Sequence, residues 1–237
     1  MLLVHGFLVT PGVLSTLAGR LRRWGYCTHG VNLGGVFGRF NARPVEQLAR
    51  IVAERVEQLV RDHGCERIDL VGHSEGGLIG RYYVQRLNGA RRVSHLVTLG
   101  TPHRGTPWAY SGYLFGRVVP SLRQMAPGSP LLRDLGDDSF PPSVRLTSIY
   151  SQRDPFCPPS SCRLEVRHGA HFKNVELARG GHLQFLFSAS IHSTILRELE
   201  SMEPPGARGP GFVGAASPRP PVAATVDERG PSAACAA

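Results

Sequence analysis

Lysine is almost missing from this chain. Lys173 is the only one, yet the formal net charge is +9 over 237 residues. Arginine therefore carries nearly all of the positive charge. The arginines are scattered along helix-period and loop stretches and do not cluster with aromatics. That distribution argues for a solvated surface and against a nucleic-acid face. A run of apolar residues long enough to cross a bilayer is missing too. Met1 leads straight into LLVHG, with no basic start and no secretory apolar core. As written, the sequence reads as cytoplasmic; secretion stays open if a leader precedes this start. Cysteines are few and odd in number: Cys27, Cys65, Cys157, Cys162 and Cys235 make neither a disulfide framework nor a C-x-x-C zinc pair. Cys157 and Cys162 flank Pro-Pro-Ser-Ser, where a bridge and two unpaired loop thiols are equally compatible with the spacing. His168 and His171 form an isolated H-x-x-H without further ligands, so no metal is expected, nor any cofactor.

What is present has a regular rhythm. Hydrophobic residues make up 41% and charged residues 19%, enough for one buried core in a chain of this length. Short apolar runs at 1–5, 27–33, 67–73, 92–100 and 144–151 read as strands, with a weaker sixth at 162–166. Between them, 11–23, 44–63, 76–87 and 183–199 have helical spacing. The clearest helix is 44–63, where Val45, Leu48, Ala49, Val52, Val56, Leu59 and Val60 share a face. Strand–helix alternation predicts an α/β fold, a mostly parallel sheet with helices on both faces, and ligands beyond the carboxyl ends of the strands. Residues 1–202 read as one domain. Residues 103–142 interrupt the rhythm with a Gly- and Pro-containing yet apolar insertion that includes Trp108, Tyr113, Phe115 and Met125, the expected lid and substrate wall. Residues 203–237, rich in Pro, Gly, Ala and Ser without period, read as a disordered tail.

The stretch LVGHSEGG (70–77) sets Ser74 two residues from Gly72 and two from Gly76. With a strand before it and a helix after it, this spacing suits a sharp turn that lifts a serine nucleophile above the sheet edge. The helix starting at Glu75 aims backbone N–H groups and a positive dipole end at the reacting centre. A second oxyanion donor is expected from the N–H of Phe7, after His5-Gly6 at the end of the first strand. His5 itself reads as a buried histidine holding that loop. The base is expected at His182, in the Gly-Gly loop before the last helix. His73 adjoins the serine, but neighbours on so tight a turn point elsewhere, and His192 lies inside the last helix. The orienting acid is expected at Asp154, just past the fifth strand, while Asp134, Asp137 and Asp138 precede that strand and read as surface.

Taken together, VHGF (4–7), GHSEGG (72–77), TLGTPHRGTP (98–107), SQRDPF (151–156) and GGHL (180–183) resemble the α/β-hydrolases, in particular bacterial serine lipases and esterases of the triacylglycerol lipase kind. The resemblance covers about residues 1–200. It implies an α/β-hydrolase fold with a lid, and a Ser74–His182–Asp154 triad acting on acyl esters or lipids through an acyl-enzyme. Transient contact with a lipid surface would suit such a substrate. Acyl transfer or thioester hydrolysis could run on the same triad, and a catalytically silent binding protein would keep the fold alone. Two departures stand out. Lipases of this group often carry Met or Gln where this chain has Glu75, and a carboxylate there would alter substrate preference. The chain also begins at the strand that precedes the oxyanion loop, so it is either a minimal member or a truncated one.

Overall fold

A computed structural model describes residues 1–7, 9–34, 43–111, 119–137, 140–165 and 171–201. Its strands are β1 (Leu2–Val4), β2 (His29–Gly30), β3 (Ile68–His73), β4 (Val93–Leu99), β5 (Arg145–Ser151) and β6 (Phe172–Leu177). They form one sheet in the order β2-β1-β3-β4-β5-β6, and every neighbouring pair is parallel. The helices are α1 (Ser15–Arg23), α2 (Val45–His63), α3 (Glu75–Arg86), α4 (Pro120–Gln124), α5 (Pro130–Asp137), α6 (Pro159–Cys162), α7 (Gln184–Phe187) and α8 (Ala189–Glu200).

Alternation along the strands divides the core in two. Leu2, Val4, Leu70, Leu96 and Leu146 face α2 and α3, whose Leu48, Val52, Val56, Ile79 and Tyr83 cover them. Leu3, Val71, Val97, Leu99 and Ile149 face the other way, onto Leu17 and Leu21 of α1 and Phe185, Ile191 and Ile195 from α7 and α8. This is the helix-on-both-faces layering that the alternation predicts. A smaller cluster joins Leu78 of α3 to Ala109, Met125, Ala126 and Leu132 of the insertion, with Phe7 and Leu122 packed on it.

Three elements differ from the expected ones. The sixth strand is Phe172–Leu177, not 162–166; Cys162 ends α6, and the Asn174 side chain takes over the pairing of Leu164, accepting from its N–H at 2.9 Å and donating to its carbonyl at 3.0 Å. FKNVEL is an edge strand with half-exposed residues, so it has neither a buried apolar run nor a clean period. The last helix is broken. Ser188 takes extended angles (φ −71°, ψ 125°) and separates α7 from α8. Residues 11–23 divide into a 3₁₀ turn at Pro11–Leu14 and α1. Glu57 of α2 meets Arg92 at 2.8 Å, just before the start of β4. Among the described residues, no helix is long and apolar enough to cross a membrane. Tyr113, Phe115, Asp138, His168 and the 203–237 tail lie outside the described residues.

Candidate active site

The carboxyl ends of the central strands carry the residues expected from the sequence. β3 ends at His73 and α3 begins at Glu75, which leaves Ser74 alone to make the turn. Its φ of 56° and ψ of −125° lie where L-residues rarely sit. Strain of this kind costs about 1–3 kcal/mol and persists only where the surroundings impose it. The surroundings here are specific. Ser74 donates its N–H to the Leu99 carbonyl at 2.9 Å, and Thr101 donates its hydroxyl to the Ser74 carbonyl at 2.8 Å. The glycines are demanded by close packing of backbone on backbone. A Cβ on Gly72 would stand 2.6 Å from the Gly76 carbonyl carbon, and one on Gly76 would strike the Val4 carbonyl oxygen.

The loop after β1 lies hard against this turn. A Cβ on Gly6 would meet Ser74 Cβ at 2.8 Å, the His73 carbonyl oxygen at 2.9 Å and the Glu75 nitrogen at 3.4 Å. The Gly6–Phe7 peptide is thus beside the first N–H of α3, the two donors expected for an oxyanion. His5 is buried, and burial lowers its pKa; its Nδ1 lies 3.0 Å from the Gly6 carbonyl, in keeping with a loop-holding role.

Asp154 and His182 come together from separate loops after β5 and β6. Asp154 Oδ2 lies 2.7 Å from His182 Nδ1, and Asp154 Oδ1 accepts the N–H groups of Phe156 and Cys157, each at 2.9 Å. Both carboxyl oxygens are therefore committed, and the carboxylate cannot rotate. The pair stands over the end of β4: a Cβ on Gly100 would lie 3.1 Å from Asp154 Oδ2 and 3.2 Å from His182 Nδ1. Gly100 (φ 55°) directly follows the residue whose carbonyl holds Ser74. The Asp154 side chain is 0% exposed, whereas that of His182 keeps 12%, so the imidazole retains an open side.

Asp154, Cys157 and His182 are close enough to share an ion, and Asp154 also accepts from two peptide N–H groups. A second group, Cys27, His29 and His63, gathers at the amino ends of the strands, away from Ser74. Cys157 and Cys162 are free thiols in this structure, both buried, with Cys162 Sγ donating to the Cys157 carbonyl at 3.3 Å.

Glu75 differs from the expected carboxylate. It is fully buried, and neither of its oxygens has a well-placed hydrogen-bond partner. Burial pushes its pKa up to about 8, against a smaller opposing effect of the nearby Ser121 hydroxyl on α4. That shift favours the uncharged form at neutral pH, and the side chain lies inside the protein.

Of the expected wall residues, Met125 is buried in the cluster with Leu78. Trp108 is 58% exposed and donates its indole N–H to the Pro155 carbonyl at 2.8 Å. Its ring lies 5.5 Å from that of Phe156, which lies 5.7 Å from the His182 ring. The sequence alone assigns no role to Phe156 or to the exposed Leu183 next to His182. Their adjacency to Asp154 and His182 was the available signal.

The palmitoyl protein thioesterase family model matches residues 2–114. A triacylglycerol lipase of Pseudarthrobacter phenanthrenivorans is 39% identical over 54 residues, which are 23% of this chain and 16% of that lipase. The chain thus aligns with about a sixth of that relative's length. Among solved structures, lipase BlEst2 of Bacillus licheniformis in mature form superposes with a TM-score of 0.67 at 14% identity, covering 84% of this chain and 90% of that one. The monoacylglycerol lipase of Paleococcus ferrophilus gives 0.64 at 16% identity, covering 84% and 93%. With its parallel sheet, its serine turn and these neighbours, the chain has the α/β-hydrolase fold.

Proposed function

We propose that this chain hydrolyses carboxylic esters with apolar acyl groups, through an acyl-enzyme on Ser74. The observation that carries the reading is a strained serine at a helix N-terminus, next in the chain to His73, whose ring lies 4.7 Å from that of the Asp154-bonded His182. In this reading His182 Nε2 takes the Ser74 proton as Oγ bonds to the ester carbonyl carbon. Asp154 holds the Nδ1–H tautomer and stabilises the imidazolium. The N–H groups of Phe7 and Glu75 receive the oxyanion, helped by the α3 dipole. As the tetrahedral centre collapses, the alcohol leaves with the proton from His182. Water, deprotonated by the same histidine, then cleaves the acyl-enzyme and releases the acid. Trp108, Phe156 and the Met125–Leu122 cluster would line the acyl side.

Thioester hydrolysis is the second reading, favoured by the thioesterase family match over residues 2–114. The chemistry is the same, with a thiol as leaving group. A chain-length series of p-nitrophenyl esters beside a matched acyl thioester separates them. The ester reading expects faster turnover of the oxygen esters at equal chain length and loss of it in Ser74→Ala. Turnover confined to the thioester would replace it with the second reading, and turnover of neither would overturn both.

A further inference from the structure

His73 has no part in the chemistry above, yet it touches the proposed base. Its ring centroid is 4.7 Å from that of His182, tilted by 46°. Its Nε2 lies 3.1 Å from the His182 carbonyl oxygen. A carbonyl can only accept, so Nε2 must carry the proton. The other nitrogen, Nδ1, is buried without a partner, and the residue is 2% exposed. His73 ends a central strand, the most rigid support available. His182, by contrast, sits in a loop between β6 and α7 that contains Gly180 at φ 119°. Among the described residues, the other hydrogen bonds of Gly181 and His182 run to neighbouring Gln184 or through the reacting imidazole itself.

We infer that His73 is a positioning residue for His182: its neutral Nε2–H tautomer ties the His182 main chain to the end of β3, fixing the base relative to Ser74. The inference rests on the proposed hydrolase reading for its effect on rate. The tie also spans the turn, because His73 and Ser74 are consecutive. Any shift of the strand end therefore moves nucleophile and base together. The titratable groups facing His73 are His182, Asp154 and His5. Burial, reinforced by the His182 charge, lowers the His73 pKa to about 3, so the ring stays a neutral donor when the neighbouring imidazolium forms.

The test compares His73→Gln with His73→Asn. The glutamine amide nitrogen is as many bonds from Cβ as histidine Nε2, so it can reach the carbonyl; the asparagine amide is one bond shorter. With both variants folded by circular dichroism, His73→Asn should lose kcat by about 10²-fold, the scale of a misplaced catalytic group, with KM little changed. His73→Gln should recover most of it. Equal rates in the two variants, or a loss carried by KM, would overturn the inference while wild-type turnover keeps the hydrolase reading intact. A second readout needs no activity. Nitrogen-15 shifts of the wild-type His73 ring should report the Nε2–H tautomer without titration between about pH 5 and 9. An Nδ1–H tautomer, or titration in that range, would overturn it whatever the protein hydrolyses.

Discussion

Asp154 accepts three hydrogen bonds, and the two oxygens divide them unequally. Asp154→Asn can keep Oδ1 for the Phe156 and Cys157 N–H groups while turning an amide nitrogen toward His182. The loop should hold and the melting temperature should change little. The imidazole, facing a donor, would adopt the wrong tautomer. The same exchange in a serine protease triad costs about 10⁴ in kcat, and a loss of that order is expected here, read from ester turnover. A variant that unfolds, or one that turns over normally, would contradict the geometry. Glu75 makes a prediction of stability. Its folded pKa, about 8, is raised above the ordinary 4.5. Below about pH 4.5 both folded and unfolded chains hold the proton and nothing is lost. As pH rises toward 8 the unfolded chain ionises and the folded one does not, so stability falls, by at most about 1.4 kcal/mol for each step of one in pH. Glu75→Gln should melt with wild type near pH 4.5 and increasingly above it toward pH 8. A gap that does not change with pH would show that the carboxyl is not held neutral.

At the scale of elements, the sequence made the site more legible than its supports. Gly72 and Gly76 announce the turn around Ser74 because backbone crowding leaves no room for a side chain at either glycine. Asp154 and His182 stand just beyond strand and loop signals. The pattern misplaces the sixth strand at 162–166 because Lys173, Asn174 and Glu176 of the true one belong on a sheet edge, where one side faces water and the apolar pattern dissolves. The break at Ser188 escaped notice because the apolar spacing of 183–199 runs through it unbroken. The sequence names His73 and Glu75 but not what their side chains do, for a different cause. What they do depends on burial and on a loop more than a hundred positions away in the chain, or on a helix of the insertion, and local pattern carries neither. Two substitutions test how the elements meet. Gly6→Ala puts a methyl where Ser74 and the His73 carbonyl already stand, so the oxyanion loop must retreat. Losing one donor's alignment should lower kcat by about 10²–10³. Leu48→Ala, on the buried face of α2, should destabilise by about 2–5 kcal/mol in denaturant titration and leave KM unchanged.

For the molecule as a whole, the parallel sheet brings segments from across the chain to a single edge. The loop after β1 supplies Phe7, the turn after β3 supplies Ser74, and the loops after β5 and β6 supply Asp154 and His182. The Asp154 loop then brings Phe156 beside the histidine, and the insertion lays Trp108 against Phe156. If these rings form the acyl wall, Phe156→Ala should raise KM for long-chain esters and spare acetate esters. An equal effect at every chain length would place the ring outside the substrate path. The central claim is that Ser74 is a nucleophile activated by this assembly. A fluorophosphonate probe followed by peptide mass spectrometry tests it most directly. The account predicts one covalent adduct, on Ser74, absent in Ser74→Ala and much slower in Asp154→Asn. An unlabelled wild-type protein, or an adduct on another residue, would contradict it.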